Sequence, residues 1–173
     1  MTPATDKPLR VLFLCTGNSA RSRMAETILN RKGRGRFLVE SAGSHPAAQV
    51  NPYAVEALGR HGFFWTGGPP RGMDGLEQRD WDFVITVCDR AKEACPIFPG
   101  QPVTAHWGMP DPTAAEGTEE AKRRAFDAAL LLINCRIDLF LALPMEKLTR
   151  MGLEHRMKAI GQSTVTEPAS PPG

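Results

Sequence analysis

Cys15 is followed by Thr16, Gly17, Asn18, Ser19, Ala20, Arg21 and Ser22, an octet that combines a nucleophile with groups able to hold an anion. Short residues in a turn before a helix let backbone N–H groups point inward and form an anion nest. Gly17 and Asn18 are expected in the left-handed conformation that turns those amides inward. Arg21, six residues after the cysteine, is placed to close the ring, its planar fork matching two oxygens of a tetrahedral anion. The same partial charges are expected to lower the pKa of the Cys15 thiol, and the Ser22 hydroxyl to add a hydrogen bond to the sulfur. The oxyanion-binding set is thus Thr16, Gly17, Asn18, Ser19, Ala20 and Arg21, and the chemistry is attack of sulfur on a bound phosphate-like anion.

Two further thiols and an acid accompany the octet. Cys88 and Cys95 bracket Asp89-Arg90-Ala91-Lys92-Glu93-Ala94, and Asp111 precedes Pro112. If the intervening residues are helical, Cys88 and Cys95 stand about 10 Å apart along the axis, at roughly 1.5 Å per residue. A disulfide needs Cα atoms within roughly 7 Å, so pairing them requires the helix to unwind. The remaining cysteine, Cys135, falls within a long amphipathic pattern and is expected in the core. No Cys-x2-Cys spacing supports zinc, and no metal or cofactor is expected.

These residues need elements to position them. Residues 9–15 form a continuous apolar run, as in a strand buried on both faces, and a helical pattern over 20–32 stops at Gly33. A second strand over 37–40 is closed by Ser41-Ala42-Gly43. Asn51-Pro52 opens a helix ending near Gly62, and 67–72 is a Gly/Pro loop. Strands over 82–87 and 102–107 deliver Cys88 and the segment 108–112. One long helix is expected over 116–143, broken by Pro144, with a shorter one to about Ile160. Alternating strands and helices imply an α/β fold with parallel strands and right-handed crossovers. Ligands of such sheets sit beyond the carboxyl ends of the strands, where Cys15, Cys88 and Asp111 all fall.

The domain organisation expected is an N-terminal arm over 1–8, one domain over 9–161 and a disordered, proline-rich tail over 162–173. The 173 residues carry 21 basic and 19 acidic side chains, a net +2, which gives no reason to expect nucleic acid or an anionic membrane as partner. No apolar run reaches the roughly 18 residues of a membrane helix, and no signal peptide is recognisable. A cytoplasmic location is expected, where thiols stay reduced and cysteine pairs tend to be catalytic.

The run from Leu14 to Glu26, LCTGNSARSRMAE, resembles the active-site loop of the low-molecular-weight protein tyrosine phosphatase superfamily, which includes thioredoxin-coupled arsenate reductases. The resemblance continues through Glu40-Ser41-Ala42-Gly43, Asn51-Pro52, the strand into Cys88, and His106-Trp107-Gly108 with Asp111-Pro112. It implies a three-layer fold, a four-stranded parallel sheet flanked by helices, to which this chain adds a C-terminal helix. The Cys-x6-Cys-Pro segment looks like the redox segment of the reductases. That branch implies that arsenate is reduced by a relay from Cys15 to Cys88 to Cys95, that Asp111 acts as proton donor and acceptor, and that thioredoxin or a similar dithiol protein restores the enzyme. A phosphatase acting on phosphotyrosine or a small phosphomonoester is the alternative; a non-catalytic oxyanion or redox sensor is a second. Thr113 and Ala114 follow Asp111-Pro112 where many phosphatases carry an aromatic residue. Some reductases of the family hold potassium through residues matching Asn18, Glu26 and Ser41, but the further carboxylate has no match in 67–72, so no potassium site is expected.

Overall fold

The computed structural model describes residues 7–65, 67–95 and 98–163, with the side chains of Arg90 and Ala94 outside the described set. Four strands, β1 (Leu9–Cys15), β2 (Phe37–Gly43), β3 (Phe83–Thr86) and β4 (Val103–His106), pair in parallel in the order β2-β1-β3-β4. Leu12, Phe13 and Leu14 point alternately to opposite faces of the sheet, yet all are 0% exposed. Both faces are therefore covered, as the unbroken apolar run requires. The expected α/β architecture, a four-stranded parallel sheet flanked by helices, is the one observed.

The helices are α1 (Arg21–Lys32), α2 (Pro52–Arg60), α3 (Asp89–Ala94), α4 (Glu119–Leu141) and α5 (Arg150–Gly161). Asn51 caps α2 by accepting from the Tyr53 amide, and Thr118 and Thr149 cap α4 and α5 in the same way. Because Thr118 starts α4, that helix is shorter at its N-terminus than the apolar pattern suggests. α1, α2 and α4 pack on one another, α3 lies against β1 and β3, and α5 against β4. Phe126, Leu130, Ile133, Ile137 and Phe140 form the buried stripe of α4. Phe140 meets Phe37, Phe83 and Trp107 with ring centroids 5.0–6.1 Å apart.

Cys135 departs from expectation, being exposed. It lies two residues from both Ile133 and Ile137, roughly 200° around the helix at 3.6 residues per turn, and so faces away from the stripe. Arg136 is buried instead, donating to the carbonyls of Trp107, Gly108 and Ser163 at 2.9, 3.2 and 3.1 Å. Of the expected arm and tail, residues 1–6 and 164–173 lie outside the described residues.

Candidate active site

The strand order reverses at β1, which pairs with β2 on one side and β3 on the other. Connections leaving adjacent strands in opposite directions open a crevice at their carboxyl ends. Leu14 is paired with Thr86, and the Val87 amide donates to the Leu14 carbonyl at 2.9 Å. Cys15 and Cys88 are thereby delivered side by side.

The loop after β1 is shaped from outside. The carbonyls of Cys15, Thr16, Gly17 and Ser19 accept from the amides of Ser44, His45, Ala47 and Asn51 at 2.8–3.1 Å. In a planar trans peptide the carbonyl and the following N–H point in opposite directions. The amides of Thr16, Gly17, Asn18 and Ala20 consequently face the interior of the loop, and that of Asn18 donates to Cys15 Sγ at 3.1 Å. Gly43 allows this close passage: a Cβ there would overlap the Thr16 carbonyl oxygen and lie 2.8 Å from the Asn18 nitrogen. Among the described residues no side chain caps α1, whose N-cap is Ala20, so the first amides of the helix also remain available to an anion.

Only Asn18 takes the left-handed turn, at φ 50°; Gly17 does not. Asn18 is instead held by its side chain. Its Oδ1 accepts from the Arg71 backbone amide at 2.8 Å, which fixes the orientation of the carboxamide, and its Nδ2 donates to Ser22 Oγ at 2.9 Å and Ser41 Oγ at 2.8 Å. Ser22 Oγ lies 2.8 Å from Cys15 Sγ. A hydroxyl has one proton, and with the Asn18 amide donating to its oxygen, that proton is directed at the sulfur.

Cys15 is 3% exposed. Burial pushes its thiol pKa up, the Ser22 hydroxyl and the Asn18 and Ser22 amides pull against the rise, and nearby Cys88 adds to it. The expected lowering is thus reversed, because desolvation of the sulfur outweighs the donors.

Arg21 Nη1 donates to the Met109 carbonyl at 3.1 Å, and Nη2 lies 3.5 Å from Asp111 Oδ2. Asp111 Oδ1 accepts from the Thr113 amide and hydroxyl at 3.0 and 2.7 Å, so Oδ2 is the oxygen turned to Arg21. Cys15, Thr16, Arg21, Cys88 and Asp111 line one cavity of about 410 Å³. The cavity is lined by all the residues singled out in the sequence except Ser22 and Asn18, which are buried but touch the Cys15 sulfur, and Cys95.

Cys88 is the N-cap of α3 and Cys95 its C-cap. Cys88 Sγ is 3.2 Å from Thr16 Oγ1 and accepts from the Ala91 amide at 3.4 Å. Cys95 lines a neighbouring cavity of about 980 Å³ that shares Arg21 with the first; burial pushes its thiol pKa up. His106 bridges the two ends of this region, with Nδ1 2.7 Å from Thr86 Oγ1 and Nε2 2.9 Å from Asp89 Oδ1. It ties the first turn of α3 to the sheet. The described residues contain no cluster of three or more His, Cys, Asp or Glu side chains able to hold a metal ion. Glu26 is engaged by Arg71 at 3.1 Å and by Arg23 at 3.9 Å.

The model of the low molecular weight phosphotyrosine protein phosphatase family matches residues 10–154. The chain belongs to that family. Within it, this chain is 38% identical over 130 residues to an arsenate reductase of Oceanobacillus iheyensis, covering 75% of this chain and 93% of the relative. A thioredoxin-dependent arsenate reductase of Corynebacterium glutamicum superposes with a TM-score of 0.57 at 26% identity, over 79% of this chain and 65% of that one. A low molecular weight phosphotyrosine phosphatase of Vibrio cholerae superposes with a TM-score of 0.59 at 28% identity, over 73% and 90% of the two chains. No helix among the described residues is long and apolar enough to cross a membrane.

Proposed function

We propose that this protein is an arsenate reductase acting through Cys15, Cys88 and Cys95. The observation that carries this reading is the second buried thiol: Cys88 touches Thr16 of the nucleophile's own loop, with Sγ 3.2 Å from Thr16 Oγ1. Phosphoryl transfer to water has no use for it. Reduction of arsenate does, because As(V) takes up two electrons and two thiols supply them in becoming a disulfide.

In the reaction proposed, arsenate sits on the inward amides of residues 16–20 with Arg21 across it. The Cys15 thiolate attacks arsenic, an S–As bond forms, and one arsenate oxygen leaves as water with a proton from Asp111. The Cys88 sulfur then attacks Cys15 Sγ, giving up its proton to the Asp111 carboxylate. An S–S bond forms, the S–As bond breaks, and its electron pair leaves with arsenic as arsenite. Cys95, its proton lost to solvent, attacks Cys88 Sγ; the Cys88–Cys95 bond forms, the Cys15–Cys88 bond breaks, and Cys15 returns as a thiolate. α3 holds Cys88 and Cys95 at opposite ends, so this last step requires it to unwind, which also removes the burial that pushes the Cys95 thiol pKa up. A dithiol protein of the thioredoxin type reduces the exposed disulfide.

A single-cysteine phosphatase reading uses the same cradle, with Asp111, which lines the same cavity as Cys15, protonating the leaving group. Purified protein is to be assayed with arsenate, thioredoxin, thioredoxin reductase and NADPH, beside a phosphomonoester. Arsenate-dependent NADPH oxidation outpacing phosphomonoester hydrolysis supports the reductase; hydrolysis without arsenate turnover rejects it.

A further inference from the structure

Asp111 stands at the end of a short loop that two arginines grip from opposite sides. Arg21 takes it from the active site, donating to the Met109 carbonyl at 3.1 Å with Nη2 3.5 Å from the Asp111 carboxylate. Arg136, on α4, takes it from the protein interior. Its Nη1 donates to the Trp107 and Gly108 carbonyls at 2.9 and 3.2 Å, and its Nη2 to the Ser163 carbonyl, just past α5, at 3.1 Å. Arg136 is 5% exposed, and no carboxylate pairs with it among the described residues.

A guanidinium taken out of water with no acid beside it is costly to hold, and burial pulls the Arg136 pKa down. Packing alone would be met by an apolar side chain, as it is at Ile133 and Ile137 on the same helix. What Arg136 adds is its grip on three carbonyls, two of which begin the segment that ends in Asp111. The gripped end is rigid. Trp107 is buried, its amide donates to the Thr86 carbonyl at 2.7 Å, and its indole Nε1 donates to the Met157 carbonyl at 3.0 Å. Beyond it, Met109 and Asp111 each precede a proline, Pro110 and Pro112. A proline fixes its own φ and narrows the conformations of the residue before it. A position set at residues 107 and 108 is therefore carried through a stiff segment to residue 111.

We infer that Arg136 is a positioning residue for the reaction: by holding the Trp107 and Gly108 carbonyls it sets where the Asp111 carboxyl stands over an anion on the Cys15 loop. It does not line the Cys15 cavity and acts through the loop alone. The inference rests on Asp111 serving as the acid for Cys15, and it holds whether the anion is arsenate or a phosphomonoester.

The test is kcat/KM of the full chain for two aryl phosphates. Phenyl phosphate has a leaving group that needs a proton; 2,4-dinitrophenyl phosphate has one that does not. Asp111→Asn should lose on the order of a hundredfold on the first ester and little on the second, the signature of an acid. Arg136→Met should lose about tenfold on phenyl phosphate and less than about threefold on the dinitrophenyl ester. Arg136→Lys, which keeps the charge but not the fork, should recover part of that loss. Added to Asp111→Asn, Arg136→Met should lower the phenyl phosphate rate no further, because its effect runs through a group already removed. A general loosening of the structure would slow both esters alike and add to Asp111→Asn; either result, or an unchanged rate in Arg136→Met, overturns the inference. If circular dichroism shows Arg136→Met unfolded, Arg136→Lys decides alone: a loss confined to phenyl phosphate supports the inference, and an equal loss on both esters or none rejects it. If Asp111→Asn itself slows both esters equally, the reading of Asp111 as the acid fails and takes the inference with it. If the wild type hydrolyses neither ester, arsenate turnover with thioredoxin replaces them. Arg136→Met adding to Asp111→Asn then rejects the inference, and no addition supports it. A chain that turns over neither kind of substrate rejects Cys15 as the nucleophile and the inference together.

Discussion

Ser22 Oγ lies 2.8 Å from Cys15 Sγ while accepting from Asn18 Nδ2 at 2.9 Å, so a hydrogen bond of fixed direction runs into the sulfur from beneath. Hydrogen bonds to charged groups contribute about 1.5–3 kcal/mol. Ser22→Ala should therefore push the Cys15 pKa further up and lower kcat near neutral pH by about tenfold or more. Rate profiles between pH 5 and 10 check this, and an unchanged profile would show that the hydroxyl does not serve the thiolate.

Gly43 and Gly59 should respond in opposite ways to the same added methyl group. At Gly43 a Cβ would overlap the Thr16 carbonyl and crowd the Asn18 nitrogen, whereas at Gly59, inside α2, it meets nothing within 4 Å. Gly43→Ala has to displace the loop and should cost about 2 kcal/mol or more, with loss of Cys15 reactivity. Gly59→Ala should be neutral or stabilise by up to about 1 kcal/mol, from helix propensity. Thermal melts of both variants, with alkylation of Cys15 in each, measure the contrast.

The contrast between these glycines also bears on what the sequence discloses. The cradle was legible because its members are adjacent: one octet holds the nucleophile, the inward amides and Arg21. The strands were legible because burial on both faces leaves unbroken apolar runs. What shapes the cradle was not legible, since its parts come from distant segments, as far as Arg71, which lies 53 residues from Asn18. The segment 44–51 takes the loop carbonyls, Gly43 clears the space, and Arg71 orients Asn18; Gly43 and Asn51 belong to motifs that the sequence displays, but nothing local marks what they do for the loop. The left-handed turn fell on Asn18 rather than Gly17 because a side chain with distant partners settled it. Cys15 and Cys135 departed from expectation for a shared reason: exposure depends on what packs against a residue, and spacing within one segment reports only part of that.

Glu40 should govern part of the acid sensitivity of the fold. Burial pushes its carboxyl up, but Arg79, which binds both oxygens at 2.9 and 2.6 Å, together with Arg71 and Arg10, outweighs this and holds it below the usual carboxylate value. A carboxylate with a lower pKa folded than unfolded adds stability above the unfolded value, about 4.3 for glutamate. That contribution fades as pH falls through the folded value. Glu40→Gln should lower stability at pH 7 by about 1 kcal/mol, given its partial exposure, and flatten the fall in stability below about pH 4.3. Urea melts from pH 3 to 7 test both; parallel curves for variant and wild type would reject the assignment.

The cysteine relay makes the sharpest prediction, because its three thiols fail at different points. Cys88 caps the N-terminus of α3 against Thr16, and Cys95 caps the other end. Cys88→Ser should stop multiple-turnover arsenate reduction yet leave slow phosphomonoester hydrolysis through Cys15, since water can resolve a phosphoenzyme but cannot take sulfur from arsenic. Cys95→Ser should complete one turnover and stall with Cys15 and Cys88 joined. Mass spectrometry of that variant after one equivalent of arsenate should show the loss of two hydrogens and a peptide link between the two cysteines. α3 should remain folded in the stalled form, because the Cys88–Cys95 bond that requires its unwinding cannot be made. Hydrogen exchange across residues 89–94 should then match the resting Cys95→Ser protein, and rise in the wild type oxidised by arsenate. Both serine variants turning over arsenate with thioredoxin at the wild-type rate would remove Cys88 and Cys95 from the reaction and leave Cys15 acting alone.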